Sequence, residues 1–228
     1  MPVYKKVNKS FFKIWSPDMA YVLGFFAADG YITVNRRGGQ FWCIQITDKE
    51  LLEGIKKIVE AEHKINIRLK NNPKEHFLYR LQIGSIEMCD DLRKLGFSER
   101  KTKSLAVPNI PEKYFSDFVR GYFDGDGNVW VGYVHKDRKK NTVNLTITTV
   151  FTSCSFEFLK QLHLQLLKKG LKRGSINQSK RNYSRLQFSV NDSLKLYDLM
   201  YNNKTKGFSG LFLDRKKKVF EKFMSLRL

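Results

Sequence analysis

The chain has 228 residues, 42% hydrophobic and 28% charged, an ordinary globular composition with room for one large domain or two halves that each bury a core. No stretch approaches the roughly 20 apolar residues that a membrane span needs, and the polar, basic residues 1–10 do not read as a secretory leader. Lysine and arginine total 42 against 22 aspartates and glutamates, so the net charge of +20 attracts polyanions, nucleic acid before anionic membrane.

In chain order, a helix leads to Asp29-Gly30. Residues 31–34 and 41–46 alternate in the manner of strands around a turn at 35–39. A helix begins at Asp48, a candidate N-cap, and carries Leu51, Leu52, Ile55, Ile58 and Val59 at helical spacing. Residues 65–70 and 77–83 read as strands. Ser85 caps a short helix toward Leu95, and Gly96 stops it. Pro108 to Pro111 link two halves, residues 1–107 and 108–228, and Pro111 suits the first turn of the next helix. That helix ends at Asp126-Gly127. Strands 129–134 and 143–150 follow around a basic tip, then a helix at 155–169 with Phe158, Leu159, Leu162 and Leu166 on one face. Strands 174–179 and 184–190, a helix at 192–201 and a final helix at 214–224 complete the chain.

The order is therefore duplicated: each half reads αββαββα, with an extra helix at the end, in an α+β protein. The repeat is visible in the residues. Ala20 to Tyr31 and Asp117 to Asn128 align so that Gly24 falls on Gly121, Phe25-Phe26 on Tyr122-Phe123, and Asp29-Gly30 on Asp126-Gly127. Small residues recur four apart, Gly24 and Ala28 in one copy and Gly121 and Gly125 in the other. Such residues share a helix face and let a second helix approach closely. Glycine inside a helix costs about 1 kcal/mol against alanine, a cost that close packing of the two motif helices would offset. The aromatic pairs would then enter the cores.

Packed so, the helices bring Asp29 and Asp126 together. Two like charges about 6 Å apart at an effective dielectric of about 20 repel by roughly 3 kcal/mol, and the negative helix ends add to this. The arrangement asks for cations. Oxygen ligands without His or Cys suit Mg²⁺ or Mn²⁺, with the carbonyls of Ala28 and Gly125 completing the shells. Magnesium held by carboxylates on a basic protein points to phosphodiester hydrolysis by metal-activated water. Asp124 has Ala27 as its counterpart, so the chemistry does not need it in both copies; it reads as structural, a local hydrogen-bond acceptor. The three cysteines, Cys43, Cys89 and Cys154, form no CxxC pair, and the four histidines, His63, His76, His135 and His163, form no metal-spaced pair.

Val22-Leu-Gly-Phe-Phe-Ala-Ala-Asp-Gly30 and Val119-Arg-Gly-Tyr-Phe-Asp-Gly-Asp-Gly127 resemble the paired motifs of the LAGLIDADG homing endonucleases, in the single-chain, two-motif form. The resemblance extends over nearly the whole chain through the αββαββα pattern. It implies a pseudo-twofold fold with two saddle-shaped antiparallel sheets and the motif helices at the centre. It implies a site-specific double-strand DNA endonuclease that cuts a recognition site of about 20 base pairs and leaves staggered 3′ overhangs. Asp29 and Asp126 would bind the metal, Mg²⁺ with Mn²⁺ as a substitute, while Ca²⁺ would support binding without cleavage. A basic residue near each site follows the last helix of each half, which points to Lys101 and Lys216, with Lys103 and Lys218 next. Asp48 and Ser153 are positional candidates for holding water, and both are also read as helix N-caps.

Alternation along the strands nominates DNA contacts: Thr33, Asn35, Arg37, Gln45, Arg68, Lys70 and Arg80, then Trp130, Lys139, Thr146, Thr148, Asn177, Gln178, Lys180, Arg185 and Gln187. Arginine pairs with guanine, and glutamine or asparagine with adenine. A strand of about eight residues reaches about 26 Å, so two sheets could track on the order of 15–20 base pairs. The partner expected is double-stranded DNA, with no membrane and a monomeric chain, inside a cell or organelle. The alternative is a non-cleaving nucleic-acid-binding protein on the same fold, such as an intron-splicing maturase. Retention of both aspartates favours the enzyme. Intein splicing is not expected, because the ends carry neither Cys or Ser first nor His-Asn last.

Overall fold

The computed structural model describes residues 5–68, 75–99, 104–137, 142–202 and 207–227. Helix α1 (Pro17–Asp29) starts where Ser16 Oγ accepts from Met19 N at 3.0 Å and Pro17 supplies its fixed φ. The next elements are β1 (Gly30–Val34), β2 (Gln40–Ile46), α2 (Lys49–Ile58), β3 (Ile65–Arg68), β4 (Leu78–Gly84) and α3 (Ile86–Lys94). Ser85 caps α3 through Met88 N, and Gly96 takes φ +94 just beyond it. Pro111 precedes a 3₁₀ turn at Glu112–Tyr114, which runs into α4 (Phe115–Asp126). Then come β5 (Gly127–Asp137), β6 (Thr142–Ser153), α5 (Phe156–Lys168), β7 (Ser175–Gln178), β8 (Ser184–Phe188) and α6 (Val190–Tyr197). A π turn at Asp198–Asn202 and α7 (Asp214–Ser225) finish the described chain.

The sheets are antiparallel and share one topology, β1-β2-β4-β3 and β5-β6-β8-β7. The duplicated α+β order expected from the sequence is the observed one. Two expectations at helix starts need correction. Asp48 occupies the N-cap position of α2, but its side chain makes no capping bond. Ser153 is not a cap; Ser155 caps α5 by accepting from Phe158 N, and Ser153 Oγ accepts from Ser155 N at 3.1 Å. The predicted strand at 65–70 is described only to Arg68.

Two compact units are present. The first lies within Met1–Lys101, Pro108–Gly125 and Thr205–Phe212 and holds the first sheet, α1 and nearly all of α4. Its core centres on Trp42, fully buried, with Phe12 and Phe26 edge-on to the indole at 5.4 and 6.4 Å and Phe97 edge-on to Phe26 at 5.4 Å. The second lies within Thr102–Val107, Asp126–Lys204 and Leu213–Leu228. There Phe151 and Phe188 meet edge-on at 6.3 Å, and Phe158, Leu159, Leu162 and Leu166 of α5 are all buried. Among the described residues, no helix is long and apolar enough to cross a membrane.

Candidate functional site

The two motif helices touch backbone to backbone at their glycines. A Cβ added at Gly24 would lie 2.1 Å from Phe118 O, and one at Gly121 would lie 2.0 Å from Tyr21 O. A Cβ at Gly125 would come 2.3 Å from Ala28 Cβ and 3.1 Å from Asp29 Oδ2. The small-residue faces are thus what brings α1 and α4 together, and Phe25, Phe26, Tyr122 and Phe123 are buried. Asp124 is 2% exposed, and its Oδ2 accepts from Tyr21 Oη at 2.8 Å. The bond is structural but not the local one expected, because it reaches from one motif helix to the other.

Asp29 and Asp126 are the last residues of α1 and α4, and both are half-buried. Neither helix has a basic residue in its last turn. Each carboxylate therefore sits on the negative pole of its own helix, which raises its demand for a cation. The nearby donors are oxygens, which suits a hard divalent ion. No cluster of three or more His, Cys, Asp or Glu side chains is present among the described residues, so each aspartate would rely on backbone carbonyls and on ligands from outside the chain.

On the side of Asp126, Lys216 of α7 is 7% exposed, and its Nζ donates to Gly127 O at 2.6 Å. A buried ammonium is thus fixed one residue from the motif aspartate. Lys218 lies elsewhere on α7, in an exposed ion pair with Asp214 at 2.5 Å. Lys101 and Lys103 fall outside the described residues, as do Lys70 and Lys139.

Register sorts the strand residues. Gly30 pairs with Ile44, Gln45 with Arg80, and Arg80 with Asn66. Thr33, Gln45, Arg68 and Arg80 therefore share one face of the first sheet, opposite the face that buries Ile32, Trp42, Ile44, Leu81 and Ile83. Asn35 and Arg37 stand in the β1–β2 turn, where Asn35 Oδ1 accepts from Arg37 N and Gly39 N at 2.9 and 2.8 Å. The open face forms a groove of about 900 Å³, lined in part by Lys5, Lys9, Lys64, Asn66, Arg80 and Gln82. Beneath Arg80, burial pushes the Cys43 thiol up to about 11, so it stays uncharged.

In the second sheet Trp130 pairs with Thr148, Thr146 with Gly132, and Arg185 with both Thr152 and Asn177. Trp130, Thr146, Thr148, Asn177, Arg185 and Gln187 share its open face. The Trp130 indole is 48% exposed and lies over Gly132, where a Cβ would be 2.3 Å from Cζ2. Gln178 pairs with the buried Ser184 and belongs to the opposite face, and Lys180 lies in the β7–β8 turn. Asn66, Gln82, Asn128 and Thr152 share the open faces but were not singled out from sequence. Aligning the two copies beyond their motifs would have found two of them: Ile65-Asn66 repeats as Ile176-Asn177, and Arg80-Leu-Gln82 as Arg185-Leu-Gln187.

A duplicated αββαββα chain, with its motif helices crossing at glycines and an aspartate ending each, has the LAGLIDADG fold in its single-chain, two-motif form. Residues 16–95 match the family described as the LAGLIDADG-like domain. The fold matches the LAGLIDADG meganuclease I-AabMI bound to uncleaved DNA, with TM-score 0.61 and 17% identity over 93% of this chain and 90% of that one. It also matches I-SmaMI bound to uncleaved DNA with calcium ions, at TM-score 0.60 and 14% identity over 93% and 90%. The homing endonuclease I-LtrWI bound to target DNA gives TM-score 0.58 and 16% identity over 96% and 90%. At these identities the likeness is one of fold.

Curated relatives match in segments. A "Probable translation initiation factor IF-2" of Thermococcus kodakarensis is 42% identical over 76 residues, 32% of this chain and 6% of that protein. The ribonucleoside-diphosphate reductase NrdEB subunit alpha of Bacillus subtilis is 24% identical over 215 residues, 84% of this chain and 18% of that protein. A DNA polymerase of Acanthamoeba polyphaga mimivirus is 30% identical over 122 residues, 50% of this chain and 7% of that protein. The chain thus spans less than a fifth of the length of each of these three.

Proposed function

We propose that the chain is a site-specific double-strand DNA endonuclease that hydrolyses phosphodiester bonds with divalent metal ions. The observation that carries this reading is the pair of half-buried aspartates, Asp29 and Asp126, at equivalent helix ends with no basic residue in either last turn. Pure binding gains nothing from anions placed near phosphate. The DNA-bound meganucleases of like fold support the choice of partner. The three segment-matched relatives carry unrelated names, so what they share with this chain is a module and not the activity those names describe.

Asp29 and Asp126 would hold the ions, with the carbonyls of Ala28 and Gly125 beside them. A magnesium ion held by these residues would supply Lewis-acid chemistry, making bound water easier to deprotonate and offsetting charge on the phosphate. Lys216, pinned to Gly127 O, would set a fixed positive charge where negative charge develops. Lys101 takes the matching role in the first half. Asp48 and Ser153, each at the end of the second strand of its sheet, would hold solvent near the site. One chain carries both motif copies, so the working unit is a monomer. The basic open faces would follow a recognition site of about 20 base pairs and leave 3′ overhangs.

The test is a cleavage selection from randomised duplexes in Mg²⁺, read by sequencing the cut ends. Recurrent cutting at one long site with 3′ overhangs is expected. On that site Asp29→Asn and Asp126→Asn should each abolish double-strand cleavage and spare binding in Ca²⁺. Full activity in either variant would sink the two-aspartate mechanism, and tight binding without any nick by the unaltered chain would point to a binding protein instead.

A further inference from the structure

The two sheets share more than their topology. Counted from the glycine after each motif aspartate, Gly30 pairs with Ile44 and Gly127 with Phe151. One residue further along β2 and β6, the open face carries the row Gln45, Arg80, Asn66 in the first sheet and Thr152, Arg185, Asn177 in the second. The next open-face position on the fourth strand of each half is Gln82 in one and Gln187 in the other. Arginine, asparagine and glutamine thus recur at identical register positions. Neighbouring positions on the same faces have diverged: Tyr31 against Asn128, Thr33 against Trp130, Phe41 against Thr148 and Cys43 against Val150.

Each arginine has a tyrosine as a neighbour. Arg80 acts electrostatically on the Tyr31 hydroxyl, and the Arg185 guanidinium lies 5.1 Å from the centre of the Tyr183 ring. An oriented guanidinium presents its two-pronged donor set with less freedom to lose. That fork matches guanine O6 and N7, while the Asn and Gln amides match adenine N6 and N7. The asparagine stands one strand spacing away, about 4.8 Å, and the glutamine two residues along the strand, about 7 Å. Such a group covers roughly two base pairs at a rise of about 3.4 Å.

Resting on the DNA-endonuclease reading above, we infer that Arg80, Asn66 and Gln82 in one half, and Arg185, Asn177 and Gln187 in the other, determine specificity by recognising one common step, a guanine beside an adenine. The target then carries that step twice, once in each half-site, between stretches that differ.

The experiment recovers bound duplexes from a randomised library with the full chain in Ca²⁺ and sequences them. The expected consensus contains the guanine–adenine step in both halves. Arg80→Ala should weaken the guanine preference by about 5- to 150-fold at one copy and leave the other intact, and Arg185→Ala should do the converse. Arg80→Lys and Arg185→Lys keep the charge and lose the fork, and should give the same local loss with folding unchanged by circular dichroism. A consensus without the repeated step, or folded variants whose preferences stay at the unaltered level, would overturn the inference while leaving the DNA reading standing. Failure of the folded, unaltered chain to enrich any sequence would overturn both.

Discussion

At the crossing of α1 and α4, the absence of one atom at each of two residues decides the packing. A methyl at Gly121 would press on the Tyr21 carbonyl, which is helix backbone and cannot rotate away. Gly121→Ala gains up to about 1 kcal/mol in helix propensity, yet the overlap should outweigh it, for a net loss of about 2–3 kcal/mol. Gly54 in α2 offers the contrast, since a Cβ there meets Leu211 Cδ1 at 2.5 Å, the far end of a flexible side chain. Gly54→Ala should fall within about 1 kcal/mol of neutral, because rotation of Leu211 and better helix propensity offset each other. Urea denaturation of both variants checks the pair. Equal losses would mean that the helix crossing yields as readily as a leucine does.

At the scale of elements, the serines that begin helices differ in what they carry. Ser85 Oγ accepts from Met88 N at 3.2 Å, while Ser155 Oγ accepts from Phe158 N at 3.2 Å and also donates to Leu105 O at 2.6 Å. Ser155→Ala removes a cap and the donor to a buried carbonyl, so it should cost about 2 kcal/mol, against about 1 kcal/mol for Ser85→Ala. Thermal melts of the two variants decide whether the second bond counts. The existence and order of these elements were legible because periodicity, capping residues and the glycines at 30, 96, 127 and 170 all mark the same boundaries. The small faces of the motif helices and the structural role of Asp124 were legible through the repeat. What was hidden depended on pairing. Alternation alone nominated Asn177 and Gln178 together, though neighbours on a strand face opposite ways, and it passed over Asn66, which only register places beside Arg80. Asp117 and Arg120 stand three apart on α4 and pair at 2.5 Å, a local contact, but the Phe208 ring 3.8 Å from the guanidinium had no local signal, because it arrives from far along the chain.

For the whole molecule, charge sets how it would meet DNA. Residues 1–107 hold 19 Lys and Arg against 12 Asp and Glu, and residues 108–228 hold 23 against 10. A net +20 opposed to phosphate means binding driven largely by counterion release, so affinity should fall steeply as salt rises. A chain making about 6–10 phosphate contacts should lose roughly 10³- to 10⁵-fold in affinity between about 50 and 200 mM salt. The groove on the first sheet offers two kinds of contact, because it is lined both by Lys5, Lys9 and Lys64 and by Arg80 and Asn66. Replacing the three lysines with glutamine should flatten the slope of log affinity against log salt by about 2 to 3 and weaken all sequences alike. Arg80→Lys should leave that slope nearly unchanged and alter which sequence is preferred. Titrations in Ca²⁺ at several salt concentrations measure both. If the triple lysine variant kept the full slope, the phosphates would have to lie elsewhere than beside these lysines.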